Sequence, residues 1–509
     1  MLLENWNNQK SWGVVSGETE CFSESKSILE IGPKMDSKRY KFFLKSLSFF
    51  IPPGALLSTL MPLKVPVERS EVQKEPQTLN IFPNLKTLDR LGKKKTSKSK
   101  KSILNIASGN DSEVYGLVDS IGFPFNNLKK INIFEEGHPD YRSFYKKNRH
   151  SWFRDSKTFL KSCKNIFNCE ISYIQSNSSP SVENYLEKIK TNDYQSFFKS
   201  NSDFIREGDS GGIKVVKKCL KENKRLSVLV PFKGIGHLFC QSCKKYTKCP
   251  ICKKTLTLYE HELKCIECND SWPKINRCDK CGERVYNLKK GLDHFFNWFL
   301  MQGFSSEDIE VISSEKTPRE IKKSLKNMKE GLSKVLLTTN FEFLRDDYGQ
   351  NMIWIPYLKY LFVGSDFRSY ENGWWRIHAI NSFCLKKDLD LFLGSKGSFF
   401  FPVKCFEKGE FSKFYRDEIE TRKQFDYPPF GEMLMVISEK KINGVSYEGV
   451  DLGDFASDLR HFRAFNSRGR EENHTAYVFQ FKEIEKNFKK FIKNLILKNE
   501  NIRIYYEGK

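Results

Sequence analysis

Eight of the fourteen cysteines fall between Cys240 and Cys281, as four Cys-x-x-Cys pairs: Cys240/Cys243, Cys249/Cys252, Cys265/Cys268 and Cys278/Cys281. Two thiolates at this spacing can face one ion at about 2.3 Å, and two such knuckles complete a tetrahedron. In a reducing cytosol such pairs bind metal instead of forming disulfides. Eight thiolates therefore predict two zinc ions in four-cysteine sites, closed and structural, with no open position for a substrate. Five residues separate Cys243 from Cys249, leaving little chain to turn one knuckle onto the next. Twelve separate Cys252 from Cys265, enough for a hairpin that starts at 253–256. The favoured arrangement is nested. An inner ion takes Cys249, Cys252, Cys265 and Cys268, and an outer one takes Cys240, Cys243, Cys278 and Cys281. His261 lies inside the inner hairpin, but eight thiolates already saturate two ions, so it is expected at the surface. The other six cysteines (Cys21, Cys163, Cys169, Cys219, Cys384 and Cys405) are scattered and read as partly buried thiols.

A larger scaffold must hold this module, since 509 residues allow roughly two to four domains. Lys and Arg outnumber Asp and Glu to give a formal charge of +22, which expects a polyanionic partner, nucleic acid before others. Lys244, Lys245, Lys248, Lys253 and Lys254 surround the knuckles as candidate phosphate contacts, with Tyr246 and Tyr259 available to stack on unpaired bases. A 39% hydrophobic and 14% aromatic composition excludes overall disorder. No apolar run reaches the ~18 residues of a membrane span, and residues 1–5 lack the basic and apolar regions of a signal peptide. The expectation is a cytoplasmic protein with no membrane partner. Strand-like segments at 103–106, 130–134, 171–174, 226–230 and 335–338 alternate with amphipathic stretches, which predicts α/β architecture. Residues 67–102 read as a linker with little core, ending in six lysines within 93–101. The tail from Phe455 reads as basic and helical, closing on a strand at 502–506.

The zinc segment, preceded by Ser227-Val228-Leu229-Val230-Pro231-Phe232-Lys233-Gly234, resembles the replication-restart primosomal protein family PriA (primosomal protein N-prime), bacterial DExH-type helicases. The resemblance continues at Phe414-Tyr415-Arg416-Asp417-Glu418-Ile419-Glu420-Thr421-Arg422 and Tyr427-Pro428-Pro429-Phe430, similar to the family signature after its second motor lobe. It implies an α/β multidomain fold: a degenerate two-lobe P-loop (RecA-like) helicase core with an inserted zinc-binding module. Residues 1–66 would be a remnant of the fork and 3′-end binding domain and winged helix, from the likeness of 11–15, 27–31 and 51–62. A basic linker, 67–102, leads to the first lobe, 103–208. The second lobe is 209–239 and 283–408, split by the module at 240–282, and a DNA-binding domain is 409–509. The first part of the fork-binding domain has no counterpart before Trp12, so the likeness does not reach the pocket for a 3′ end.

The motor positions depart from the family pattern. A phosphate loop needs G-x-x-x-x-G-K-[ST], so that backbone amides, Lys and Ser/Thr hold phosphate and Mg²⁺. The best counterpart is Ala107-Ser108-Gly109-Asn110-Asp111-Ser112-Glu113-Val114-Tyr115. Ser112 keeps the hydroxyl, but Asn110 replaces the last glycine and Asp111, which repels a triphosphate, replaces the lysine. Phe134-Glu135-Glu136-Gly137-His138-Pro139-Asp140-Tyr141 resembles the acidic box D-E-E-H-x-P-x-Y, with Phe134 for the Mg²⁺-holding aspartate and Gly137 for the histidine. Glu135 and Glu136 then read as vestigial, two surface carboxylates at a strand end. Gly109 and Glu135 are 26 positions apart, whereas one βαβ unit takes ~30 residues, so strands of a normal ATP lobe are missing between them. Asn177-Ser178-Ser179-Pro180-Ser181-Val182-Glu183 resembles S-A-T-P-S-x-E, and Ser365-Asp366-Phe367-Arg368 resembles P-D-F-R. The family's arginine-rich Q-V-A-G-R-A-G-R corresponds to 379–386, where no arginine stands.

The resemblance thus implies a replication-restart protein that binds forked, branched and single-stranded DNA and helps assemble the primosome with other restart proteins. ATP and Mg²⁺ are not expected as cofactors, and the location is the bacterial cytoplasm, at the nucleoid. Two alternatives stand beside it: an active ATP-dependent 3′–5′ DNA helicase with divergent motifs, and a zinc-dependent protein-interaction scaffold.

Overall fold

The computed structural model describes residues 26–31, 63–68 and most of 76–507; the longest stretches outside it within that last span are 97–104, 121–127, 142–168, 175–180 and 187–201. Cys252, Cys268 and Ser365 also lie outside the described residues. The chain divides into two units, 1–176 with 419–509, and 177–418.

The second unit is built on a parallel sheet of six described strands, in the order Ile309–Ile312, Val335–Thr338, Leu226–Leu229, Met352–Ile355, Asp390–Lys396 and Ser202–Arg206. The three central strands are buried at every position, which is why they read as continuous apolar runs instead of alternating ones. Helices Asp209–Lys221 and Leu292–Met301 cover the sheet through Val215, Val216, Phe295, Trp298 and Phe299, which meet Trp354 and Phe392 in one core. Helix Pro318–Glu330 starts at a capping box between Thr317 and Glu320 and stops at left-handed Gly331. The arginine-free stretch 379–386 lies on helix Ser369–Lys387, where Ala379, Ile380 and Cys384 are buried.

In the other unit four strands, Glu113–Gly116, Gln77–Ile81, Leu128–Phe134 and Glu170–Ile174, form a second parallel sheet in that order. Its inner strand, Gln77–Ile81, and the helix Leu85–Arg90 fall inside the span expected to be a linker with little core. Leu79, Ile81, Phe82 and Leu88 are in fact fully buried there. Polar Thr78, Asn80 and Thr87 break the apolar pattern, and the lysine run that follows masks it. Asn105 and Ile106 are helical, not part of a strand. Ser202–Arg206, expected in the first lobe, instead pairs with Asp390–Lys396 in the six-stranded sheet. The C-terminal stretch holds an antiparallel sheet, Asp458–Phe465, Glu471–Phe481, Glu432–Ser438 and Ile502–Glu507, backed by helix Lys486–Lys498. Two strands therefore occupy a tail that reads as helical, because their basic and polar residues hide the alternation. Of the expected fork-binding remnant, the described residues are one antiparallel pair, Lys26–Ile31 with Leu63–Glu68.

Candidate metal centre

The cysteine-rich insert leaves the six-stranded sheet from the end of the Leu226 strand and returns into helix Leu292–Met301. Its two stems cross at Gly234 and Gly291. A Cβ on Gly291 would lie 2.3 Å from the Gly234 carbonyl oxygen, and one on Gly234 would lie 2.5 Å from that of Leu258. Asp209, at the start of helix Asp209–Lys221, holds the returning stem through Lys290 and through His294 Nε2 at 3.1 Å. Burial raises the Asp209 carboxyl, but hydrogen bonds from His294 and Lys290 outweigh it and leave the group below its ordinary value. Inside the insert, Gly236–Cys240 is the central strand, paired antiparallel with Lys245–Tyr246, Thr257–Leu258 and Val285–Lys290. Leu238, Leu256, Leu258, Leu263 and Val285 form its small core around Cys240, Cys249 and Cys265.

Cys240, Cys243, Cys278 and Cys281 converge so that all four sulfurs lie within 4.8 Å of one another. Cys240 and Cys281 sulfurs are 3.4 Å apart, and those of Cys243 and Cys278 are 3.9 Å apart. A tetrahedron of sulfurs about 2.3 Å from zinc has edges of about 3.8 Å, so the four residues fit the ion. The backbone N–H groups of Lys280 and Cys281 draw the Cys278 thiol down to about 7, which favours the thiolate a metal needs. The Cys281 thiol beside Cys243 pushes that group the other way, to about 12. A shared divalent cation removes this conflict by taking all four as thiolates. These are the four residues expected for the outer ion.

The knuckles repeat one local design. Cys249 N–H bonds the Lys254 carbonyl, Cys265 N–H that of Asp270, and Cys278 N–H that of Glu283, each five residues on. The fourth residue after Cys240, Cys249 and Cys278 is left-handed in every case: Lys244 at φ 52°, Lys253 at 60° and Gly282 at 74°. Cys249 and Cys265 are fully buried, while their expected partners Cys252 and Cys268 lie outside the described residues. His261 is exposed on the hairpin, beside Glu260. Lys244, Lys245, Lys248, Lys253 and Lys254 are all exposed, and Tyr246 and Tyr259 are half-buried. Lys253 Nζ donates to the Pro250 carbonyl at 2.7 Å. Tyr246 packs edge-on against Phe239 with ring centres 5.0 Å apart.

The motor-like residues are placed differently. Asn110, Asp111 and Ser112 run directly into the strand Glu113–Gly116, with Ser112 O accepting from Thr78 N and Asp111 O from Gln77 Nε2. A phosphate loop sits instead between the end of a strand and the start of a helix. Glu135 and Glu136 follow the strand Leu128–Phe134 and are buried, at 6% and 1% exposure, which corrects the expectation of surface carboxylates. The turn that follows folds them inward. His138 and Asp140 converge on Asn84, whose Nδ2 lies 3.3 Å from His138 Nε2 and donates to Asp140 Oδ2 at 2.7 Å. Asn84 Oδ1 accepts from Thr87 N at 2.9 Å at the start of helix Leu85–Arg90. The Tyr141 hydroxyl lies 3.0 Å and 2.7 Å from the Ile81 and Phe134 carbonyls. Burial first, then Glu135 and Asp140, hold that hydroxyl protonated well above its ordinary range. Phe134, where the resemblance puts a metal-holding aspartate, stacks on Phe82 at 4.4 Å. Asn84 and Thr87 were missed from sequence because they lie more than 50 residues from His138 in the chain. In the other unit, Arg368 Nη1 reaches both Glu183 and Glu371 at 3.1 Å, and Glu371 Oε1 accepts from Val182 N. Two of the resembling segments are therefore joined by a buried ion cluster.

An α/β protein with two parallel sheets, one interrupted by a four-cysteine centre able to hold a metal, is the class these features define. No family model matches the chain. It is 22% identical over 371 residues to the replication restart protein PriA of Borreliella burgdorferi, covering 66% of this chain and 53% of that protein. It is 27% identical over 203 residues to the replication restart protein PriA of Thermotoga maritima, covering 37% of this chain and 27% of that protein. The chain thus spans about half the length of the first relative and about a quarter of the second. Among solved structures, the DUF1998 helicase MrfA bound to DNA and AMPPNP aligns over 67% of this chain and 44% of its own, at 12% identity and a TM-score of 0.32. A DEAD box protein from Methanococcus jannaschii covers 67% of this chain and 84% of its own, at 9% identity and a TM-score of 0.27. No helix among the described residues is long and apolar enough to cross a membrane.

Proposed function

We propose that this chain is a PriA-like replication-restart protein that binds forked or branched DNA and single strands, and that helps assemble the primosome without ATP-driven unwinding. The similarity to two PriA proteins carries this reading, together with the four-cysteine centre that fits zinc. The +22 charge and the exposed lysines of the insert support DNA as the partner. We assign a second zinc ion to Cys249, Cys252, Cys265 and Cys268, supported by the shared backbone pattern of the knuckles. Other restart proteins are the assigned protein partners and the bacterial nucleoid the assigned location. Motor loss is supported by Asp111 at the lysine position, by Asn110–Ser112 leading into a strand, and by the Phe134–Phe82 stack where a Mg²⁺ carboxylate is expected. An active helicase is the second reading, favoured by the burial of Glu135 and Glu136 at the end of a parallel strand.

One experiment separates the two: ATP hydrolysis by zinc-loaded protein, with and without forked DNA, with binding followed by anisotropy in the same sample. Binding without stimulated hydrolysis is expected. Hydrolysis abolished by Glu135→Gln or Glu136→Gln would restore the helicase. No binding to any DNA at low salt would leave the interaction scaffold.

A further inference from the structure

A cavity of about 550 Å³ opens in the second unit, lined by Glu207, Lys359, Lys396, Ser398, Phe399 and Phe400. It lies where the neighbouring parallel strands Ser202–Arg206 and Asp390–Lys396 end, with Arg206 and Lys396 in register. Open α/β sheets bind ligands outside the carboxyl ends of their strands. The two phenylalanines differ sharply. Phe400 packs against Phe362 and Tyr370, with ring centres 5.7 Å and 5.3 Å away. Phe399 is 89% exposed, and Lys404 Nζ stands 4.7 Å from its ring centre. The charges are also unequal. Glu207 Oε2 holds Lys359 at 2.8 Å, while its buried Oε1 makes no hydrogen bond. Lys396 and Lys404 form no ion pair among the described residues, so two positive charges flank the exposed ring uncompensated.

An exposed aromatic face, two uncompensated ammonium groups and one carboxylate oxygen lacking a donor match the parts of a nucleotide. We propose that this cavity seats one unpaired nucleotide of a DNA single strand, its base stacked on Phe399 and its flanking phosphates held by Lys396 and Lys404. Glu207 Oε1 accepts from a base N–H or amino group, which each of the four bases carries. Base stacking on protein aromatics tolerates any sequence, because every base has a π-face. An apolar peptide would use the ring but leave both cations without a partner. This assignment rests on the DNA-binding reading above and adds to it a site remote in sequence from the cysteine-rich insert.

The test measures anisotropy of a labelled 20-mer single strand and of a blunt duplex with the zinc-loaded full chain, comparing wild type with F399A, F399Y and K396A. Phe399 is too exposed to support the core, so zinc content and circular dichroism should stay at wild-type values. F399A should weaken single-strand binding roughly 5- to 100-fold while leaving duplex binding within about twofold, and F399Y should restore it. K396A should lower the slope of log affinity against log salt by about 0.7. A 5-iodouracil strand should photocrosslink to Phe399, mapped by mass spectrometry. Wild-type single-strand affinity in F399A would overturn the cavity while leaving the DNA reading standing. Displacement of the strand by free dAMP at matched nucleotide concentration would assign the cavity to a mononucleotide and also overturn the proposal. Wild-type protein that binds neither forked nor single-stranded DNA at low salt would overturn both.

Discussion

The metal centre and the acidic strand end are assembled by opposite routes. In the cysteine-rich insert the knuckles close on themselves within six residues: the N–H groups of Cys249, Cys265 and Cys278 each bond a carbonyl five residues on, and the fourth residue after Cys240, Cys249 and Cys278 turns left-handed. Tertiary structure has only to bring two prefabricated turns together, which the pairing of Gly236–Cys240 with Val285–Lys290 does. The strand end after Phe134 has no such local code. Its network draws Asn84 and Thr87 from one element and His138, Asp140 and Tyr141 from another, and it exists because Gln77–Ile81 pairs with Leu128–Phe134. A locally coded site tolerates change in the surrounding scaffold. A site coded across strands depends on which strands pair, and the pairing here gives a polar cluster beside a phenylalanine stack.

The largest effect that tests this contrast is metal removal. Chelation should unfold the insert, costing on the order of 10 kcal/mol per ion, seen as lost near-ultraviolet dichroism, and plasma emission should count two zinc ions per chain. Cys278→Ser and Cys249→Ser should each remove one ion and spare the other; a wild-type count of one would break the nested pairing. Next is the cross-linked cluster of the second unit. Arg368→Met leaves Glu183 and Glu371 facing each other without their cation, and denaturant unfolding should show a loss of about 3–5 kcal/mol. Replacing Glu371 by Gln in the same chain should recover part of it.

The acid response comes third. His378 sits among Trp374, Phe406 and Phe411, and burial lowers its pKa from 6.5 to about 3. Below pH 6.5 the unfolded chain takes a proton that the folded chain refuses, so this contribution is complete above pH 6.5 and is lost as pH falls toward 3. Urea unfolding at pH 7 and pH 5 should differ by about 2 kcal/mol from this group, and His378→Phe should flatten that difference. The smallest effect is at the strand end: Asn84→Ala removes the cap on Thr87 N and should cost about 1 kcal/mol. A loss several times larger would mean that the strand end is held as rigidly as the metal centre, and the contrast would fail.

Legibility followed the same division. The Cys-x-x-Cys turns of the outer cluster, the exposure of His261 and the central strands Leu226–Leu229 and Val335–Thr338 could be read directly, since each signal is a spacing or an apolar run within a few residues. Gln77–Ile81 could not, because Thr78 and Asn80 interrupt its apolar pattern and only pairing on both sides buries it. The insert's lysines were legible as exposed. That Lys244 and Lys253 double as the left-handed turn residues of their knuckles was not, because lysine carries no preference for that backbone.

Sequence by itself determined the grouping of Cys240, Cys243, Cys278 and Cys281 and the α/β character of the chain. Those properties follow from short-range geometry and from hydrophobic period. Only the tertiary structure decided that Glu135 and Glu136 are buried, that Ser202–Arg206 joins the six-stranded sheet, and that of two adjacent phenylalanines Phe400 is packed while Phe399 faces solvent. Burial is a property of strand order and packing between residues far apart in the chain, and no residue's own chemistry specifies it.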